Sequence, residues 1–209
     1  MMPRPRSLDH DSIAHAALAI VDRDGFGALS MRAVAAELGV ATMSLYHYVT
    51  GREEVERLMV DCIFLAADVP VPKTASWERE ISKLSEAMRA AIAEHPALIP
   101  LLLVRFKTSP GAWHWLEALL GALSRAGFDA RQRVFAVRTL QAYVIGAVQS
   151  EHLNSLTGDS TSTLASMPVD EFPFIVETAR TALTVSPDQE FSRGLATVLD
   201  GLRAHLKPR

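Results

Sequence analysis

The stretch that most constrains this chain runs from Ser30 to Tyr48, SMRAVAAELGVATMSLYHY. Its first half carries apolar residues at the spacing of one helix face: Met31, Val34, Ala35 and Leu38. Ser30 is positioned to cap this helix, and Gly39 can adopt the left-handed conformation that ends it. A second helix is predicted over residues 42–48, with Leu45 facing inward. The stretch therefore predicts two short helices joined by a glycine turn.

Ala35 indicates how closely these two helices cross. A large side chain at this position, four residues before Gly39, would hold the helices apart. A small residue there, flanked by aliphatic residues, is what a helix-turn-helix requires.

A longer set of positions resembles the amino-terminal domain of the TetR family of transcriptional regulators. The matching residues are Ala28-Leu29-Ser30-Met31-Arg32, Val34-Ala35, Leu38-Gly39-Val40, Ser44-Leu45-Tyr46, Val49, Gly51-Arg52 and Val55. The resemblance covers roughly residues 9–60. A looser resemblance to the family's carboxy-terminal regulatory domain lies in Trp77 to Leu103 and in Ala126-Gly127-Phe128. Together, the two resemblances imply a sequence-specific DNA-binding regulator, more often a repressor than an activator, that responds to a small-molecule effector.

Hydrophobic periodicity predicts an all-α chain of nine or ten helices, because apolar residues recur at three and four positions and strand signals are nearly absent. Asp9 and Gly25 bound the first helix, over 10–24, and the fourth is predicted from Arg52 to about residue 68. Later helices are predicted at about 77–94, 110–127, 130–153 and 187–206. The Ser/Thr-rich residues 154–168 are predicted to be a mobile connection, and the helix after them to be broken early by Pro173.

Prolines divide the chain into two predicted domains. Pro70-Val71-Pro72-Lys73 cannot be helical throughout, so residues 1–69 form the predicted DNA-binding domain, with its motif at about 30–49. Residues 70–209 form the predicted effector-binding and dimerisation domain, joined through the fourth helix. The first eight residues, which include Arg4 and Arg6, are either an arm that contacts phosphates or the minor groove, or a solvated tail.

The resemblance implies which residues contact DNA, since the second helix of the motif enters the major groove. Residues expected at base edges are Thr42, Met43 and Ser44, and residues expected against phosphates are Tyr46, His47 and Tyr48. Arg32 suits a guanine or a phosphate, and Arg52 suits a phosphate. Alternatively, Tyr46 is a core residue, His47 is simply solvated, and Arg52 is an ordinary surface charge. Ala41 departs from the family pattern, which usually has a hydroxyl cap there.

Charge excludes a broadly polybasic nucleic-acid binder. The net charge is −3, and the chain up to Arg52 has five arginines against five acidic residues. Affinity must therefore depend on specific contacts rather than on counterion release. One motif contacts a half-site only, so a palindromic operator requires two copies about one helical turn, ~34–36 Å, apart.

The carboxy-terminal part is expected to supply a homodimer interface through the eighth and the last helix. The last helix has an apolar seam at Phe191, Leu195, Val198, Leu202 and Leu206, and the eighth helix is apolar nearly all round. Alternatively, the apolar residues of these two helices form an internal core within a single chain. The resemblance also implies an effector pocket of roughly 300–1,000 Å³. Its candidate lining residues are Met88, Leu102, Leu103, Phe106, Trp113, Leu116 and Tyr143, each of which could instead be core.

Other functional classes find little support in the sequence. It contains no recognisable metal-ligand spacing, phosphate loop or nucleophile motif, so no enzyme activity, metal or cofactor is expected. Cys62, the single cysteine, is expected to be a buried apolar residue in a reducing cytoplasm. No apolar run is long enough for a membrane span. A small-molecule carrier or enzyme whose motif no longer binds DNA remains the alternative.

Overall fold

All regular structure is helical in this computed structural model, which describes residues 8–68, 70, 76–153 and 155–206. The helices are α1 (His10–Asp24), α2 (Met31–Leu38), α3 (Thr42–Leu45), α4 (Arg52–Ala66), α5 (Trp77–Glu94), α6 (Ile99–Arg105), α7 (Pro110–Ala126), α8 (Ala130–Leu153), α9 (Asp159–Ala165), α10 (Pro173–Ala182) and α11 (Pro187–Ala204). The predicted all-α class is confirmed, with eleven α-helices in the described residues instead of nine or ten.

Helix ends follow local capping chemistry. The Asp9 carboxylate accepts a hydrogen bond from the Ser12 amide at 2.8 Å, and the Ser12 hydroxyl accepts one from the Asp9 amide at 3.0 Å. This capping box starts α1 where the sequence predicts it. Gly25, at φ 80°, ends α1 in a conformation that favours glycine. Ser186 and Gln189 form the corresponding box at the start of α11.

The Ser/Thr-rich connection contains a helix that the sequence analysis did not predict. In and after α9, the hydroxyls of Ser162, Thr163 and Ser166 donate to carbonyls four residues earlier, at 3.2, 2.9 and 2.9 Å. Such bonds satisfy the side chains within the helix itself. The prediction of a mobile connection is therefore wrong for Asp159–Ala165. Pro173 begins α10 instead of breaking it, because the first helical turn needs no amide hydrogen there.

The described helices form two compact units. The first contains α1–α4, α6 and residues 86–94 and 110–118 of α5 and α7; the second contains the rest of α5 and α7 together with α8–α11. The predicted arm, apart from Leu8, and most of the predicted boundary lie outside the described residues. The division at residues 69 and 70 stays a prediction.

Among the described residues, no single helix is long and apolar enough to cross a membrane. Only the bent pair Trp77–Glu94 and Pro96–Thr108 reaches that length and composition together.

In the second unit, α8 packs against α11. The Tyr143 hydroxyl donates to the Phe191 carbonyl at 2.6 Å, and their rings lie 5.5 Å apart. Phe191, Leu195 and Leu202, expected either in a homodimer seam or in an internal core, are buried within their own chain. On α8 one stripe is buried, whereas Val134 and Phe135 are each 60% exposed.

Cys62 lies on α4 and is only half-buried, not the fully buried apolar residue that was expected. Burial, together with the negative charges of Asp11 and Asp61, raises the pKa of its thiol to about 11. These surroundings disfavour the thiolate, which is the reactive form.

We therefore expect Cys62 to be alkylated slowly. At pH 8 far less of this thiol is ionised than of a free cysteine, and the higher nucleophilicity of the thiolate offsets only part of the difference, leaving the rate at least about tenfold lower. Iodoacetamide labelling of the folded protein, followed by mass spectrometry from pH 7 to 10.5, measures this. The rate should still be rising at pH 10, whereas a plateau near pH 8.5 in the folded protein would contradict the shift.

Candidate DNA-binding site

The motif is held in shape by its cap and its turn. The Ser30 hydroxyl accepts from the Ala33 amide at 3.1 Å and begins α2. Gly39 is left-handed, at φ 69°, and the Val40 amide bonds to the Ala35 carbonyl at 3.0 Å. Ala35 is buried, on a helix that packs against both α1 and α3. The predicted helix and glycine turn are confirmed, and Ala35 faces inward as its role at the crossing requires.

The second helix of the motif is shorter than predicted. The helix α3 ends at Leu45, and residues 46–48 continue as a turn in which the Tyr48 amide bonds to the Leu45 carbonyl at 2.9 Å. Bonds that reach back three residues give a tighter coil than an α-helix. Ala41 provides no side-chain cap for α3, as its identity predicts. The expectation of an α-helix through Tyr48 is therefore wrong.

The side chains of α3 and its following turn divide between core and surface. Leu45 and Val49 are buried and anchor the segment. The outward residues are Met43, which is 71% exposed, and Tyr46, His47 and Tyr48, which are also exposed. Thr42 and Ser44 are half-buried. The alternative in which Tyr46 is a core residue is excluded by its exposure.

Two contacts that the sequence analysis missed hold the turn in place. A ring nitrogen of His10, Nε2, lies 2.9 Å from the Tyr48 carbonyl oxygen and ties the turn to α1. The Thr50 amide and hydroxyl both donate to the Glu54 carboxylate, at 2.6 and 2.8 Å, and lower the pKa of Glu54. Because Glu54 lies in the first turn of α4, this bond fixes the connection between α3 and α4.

The two arginines of the predicted site have different surroundings. Arg32 is exposed and forms no hydrogen bond or ion pair with another described residue. Arg52 donates to the Glu56 carboxylate and to the Leu29 carbonyl, both at 2.9 Å, and its guanidinium lies 5.0 Å from the centre of the Phe26 ring. Arg32 is therefore available to an external anion, whereas Arg52 already has partners within the chain.

Glu56 is the centre of this ion cluster. It is 7% exposed, and its carboxylate also accepts from Arg105 Nε and Nη2, at 3.1 and 2.8 Å. These bonds raise the pKa of Arg105 still further. The carboxylate, between two guanidinium groups, links α4 directly to α6. No sequence motif indicates this cluster, because Arg105 follows Glu56 by 49 residues.

The residues predicted to line an effector pocket differ in exposure. Met88 and Leu102 are buried and Phe106 and Leu116 half-buried, but Leu103 and Trp113 are more than half exposed. Tyr143 belongs to the second unit. A cavity of about 340 Å³ in the first unit is lined instead by Phe26, Glu56, Ala97, Pro100, Leu101 and Val104. None of the predicted residues lines this cavity.

Two family models match the chain. Residues 13–55 match the tetR family of bacterial regulatory proteins, and residues 69–206 match the tetracyclin repressor-like C-terminal domain.

Individual relatives match over most of their length. The HTH-type transcriptional repressor DrrR1 of Streptomyces coeruleorubidus is 31% identical, over 99% of this chain and 81% of that protein. The tetracycline repressor protein class E of Escherichia coli is 25% identical, over 95% of this chain and 92% of its own. The crystal structure of the Streptomyces coelicolor TetR family protein ActR in complex with (S)-DNPA has a TM-score of 0.81 and 26% identity, and covers 98% of this chain and 100% of its own. This chain therefore belongs to the TetR family of transcriptional regulators.

Proposed function

We propose that this protein is a ligand-responsive repressor that binds a palindromic operator as a homodimer. The observation that carries the proposal is the exposed surface from Met43 to Tyr48, presented by a segment whose Leu45 is fully buried. A surface so anchored can enter a major groove without changing shape.

The proposed contacts differ in what they read. Thr42, Met43 and Ser44 meet base edges, where Met43 offers an apolar contact to a thymine methyl and Ser44 a hydroxyl. The turn residues Tyr46, His47 and Tyr48 contact phosphates and fix the register. Arg32 supplies a cation that no described residue neutralises. The role proposed for Arg52 requires its guanidinium to reach a phosphate while it remains bonded to Glu56.

A homodimer would provide the second half-site. Support for it comes from α8, whose Val134 and Phe135 are apolar side chains exposed in the single chain. Covering such side chains is favourable because it removes apolar surface from water. In a symmetric interface, each copy covers the same patch on the other. We propose that the exposed face of α8, together with α11, forms this interface.

Effector binding would act on α4. Repressors among the relatives and the complex of ActR with (S)-DNPA support a small-molecule effector, which we propose to be largely apolar and to bind in the carboxy-terminal region. Met88, Leu102, Phe106 and Leu116 remain the proposed lining residues. Because Glu56 of α4 is bonded to Arg105 of α6, a displacement of α6 would move α4 and with it the recognition segment. The free energy that couples effector binding to operator binding is typically about 1–3 kcal/mol.

Replacing Arg32 tests the DNA-binding function. Arg32→Ala is expected to weaken operator binding by ~1–3 kcal/mol, because one bidentate contact to a base or phosphate is lost. Fluorescence anisotropy with duplexes from the DNA flanking its own gene measures the change at fixed salt.

The matched control is Arg180→Ala, which removes the same charge from an exposed position on α10. Its operator affinity should stay within a few tenths of a kcal/mol of the unmodified protein. Equal losses in the two variants would mean that Arg32 acts only through net charge. If the unmodified protein binds none of these duplexes at low salt, a carrier or enzyme function is favoured instead.

A further inference from the structure

Three potential metal ligands converge where α1 packs against α4 in the first unit. Asp11 and His15 lie four residues apart on one face of α1, and Cys62 lies on α4. One ligand atom from each, a carboxylate oxygen, a ring nitrogen and the sulfur, lies within 4.8 Å of the others. No sequence spacing indicates this group, because 46 residues separate His15 from Cys62.

The chemistry of this group suits a borderline-soft divalent cation. Thiolate, imidazole and carboxylate are the three ligand types that zinc uses in proteins. In a tetrahedral zinc site, neighbouring ligand atoms are roughly 3.3–3.8 Å apart, given metal–ligand bonds of about 2.0–2.3 Å. The described separations are therefore up to about 1.5 Å too long. Asp11 and His15 can close this gap by side-chain rotation, because their side chains are 77% and 65% exposed.

The surroundings leave room for an ion beside the sulfur and place one carboxylate next to it. A cavity of about 410 Å³ is lined by Asp11, Cys62 and His114, among others. Asp11 adds a negative charge beside the sulfur, whereas the charge of Asp61 is paired with Arg57, which lines the same cavity. Asp61 is not included among the ligands, because its carboxylate already accepts bonds from Arg57 and Ser109, both at 2.5 Å.

We propose that Asp11, His15 and Cys62 bind a divalent cation of the zinc class, with the fourth position open to water. The thiol proton leaves to solvent as the sulfur–metal bond forms. The bound ion would join α1 to α4, the two longest helices of the amino-terminal part, independently of any operator or effector. It would therefore make the stability of the DNA-binding part dependent on metal.

Cobalt substitution tests the proposal directly. Cobalt bound to a thiolate gives a sulfur-to-metal charge-transfer band in the near ultraviolet, and Cys62 is the only cysteine in the chain. We expect one equivalent of Co²⁺ to produce this band in full-length, untagged, reduced protein, and one equivalent of Zn²⁺ to abolish it by competition. Thermal unfolding followed by circular dichroism should show a higher midpoint with Zn²⁺ than with a chelator.

Three variants separate this site from adventitious binding. Cys62→Ser should abolish the band, and His15→Gln, at an exposed position that does not threaten folding, should weaken Zn²⁺ affinity at least tenfold. His114→Gln is the matched control, because His114 lines the same cavity outside the three-residue group. The His114→Gln substitution should leave the affinity for Zn²⁺ unchanged. The proposal is overturned by the absence of a band in the unmodified protein, by undiminished affinity in His15→Gln, or by one ion shared between two chains.

Discussion

Leu45→Ala is expected to lower the free energy of unfolding by ~2–5 kcal/mol, the usual cost of a cavity at a fully buried leucine. The buried Leu45 side chain anchors α3 to the core of the first unit. The Val49 amide donates to the Leu45 carbonyl at 3.0 Å, which links the following turn to α3. Urea unfolding followed by circular dichroism measures the loss. Operator affinity should fall with it, because the recognition surface loses its anchor.

Met43→Ala is the matched control, two residues earlier in the same short helix. Its side chain is 71% exposed, so stability should change by less than about 0.5 kcal/mol. Operator affinity should still fall if Met43 contacts a base. Two results would contradict the assignment of inward and outward residues: a cost below about 1 kcal/mol for Leu45→Ala, or equal destabilisation by both substitutions.

Arg105→Met is expected to lower the free energy of unfolding by about 2–3 kcal/mol. Removing one partner from a buried ion pair leaves a charge without full compensation, which typically costs ~3–5 kcal/mol. We expect less here, because Arg52 still pairs with Glu56 and the Arg105 side chain is 21% exposed. The same urea experiment measures this cost.

The double variant Glu56→Leu/Arg105→Met identifies the cause. If the cost arises from an uncompensated Glu56 carboxylate, removing that carboxylate should restore most of the lost stability. Arg52, which is 43% exposed, would then be hydrated. Additive destabilisation in the double variant would instead mean that each side chain contributes through packing alone.

Features that depend on neighbouring residues could be predicted from the sequence. The caps at Asp9 and Ser30 and the turn at Gly39 each act within a few positions along the chain. For the same reason the bounds of α1 and α5 agree with the prediction. Helix periodicity placed Leu45 inside because inward positions repeat every three or four residues.

Features that depend on residues far apart in the chain could not be predicted from the sequence. Residues 46–48 were predicted to continue the helix, but their backbone forms a tighter turn tied to His10 of α1. Arg52 lies at the predicted phosphate-contact position, yet its guanidinium also donates to the Leu29 carbonyl, 23 residues away, a contact that spacing does not reveal. Asp11, His15 and Cys62 come together only because α1 packs on α4. Sequence spacing does not show this packing, so no metal site was expected from the sequence.

The single turn of α3 has a consequence for how new operators are acquired. Only Leu45 within this turn is committed to the core, and Met43 beside it is open to solvent. A lineage can therefore substitute outward residues one at a time while the scaffold keeps its stability. Binding preference can diverge faster than the fold, and duplicated copies of such a gene can come to control different promoters after few changes.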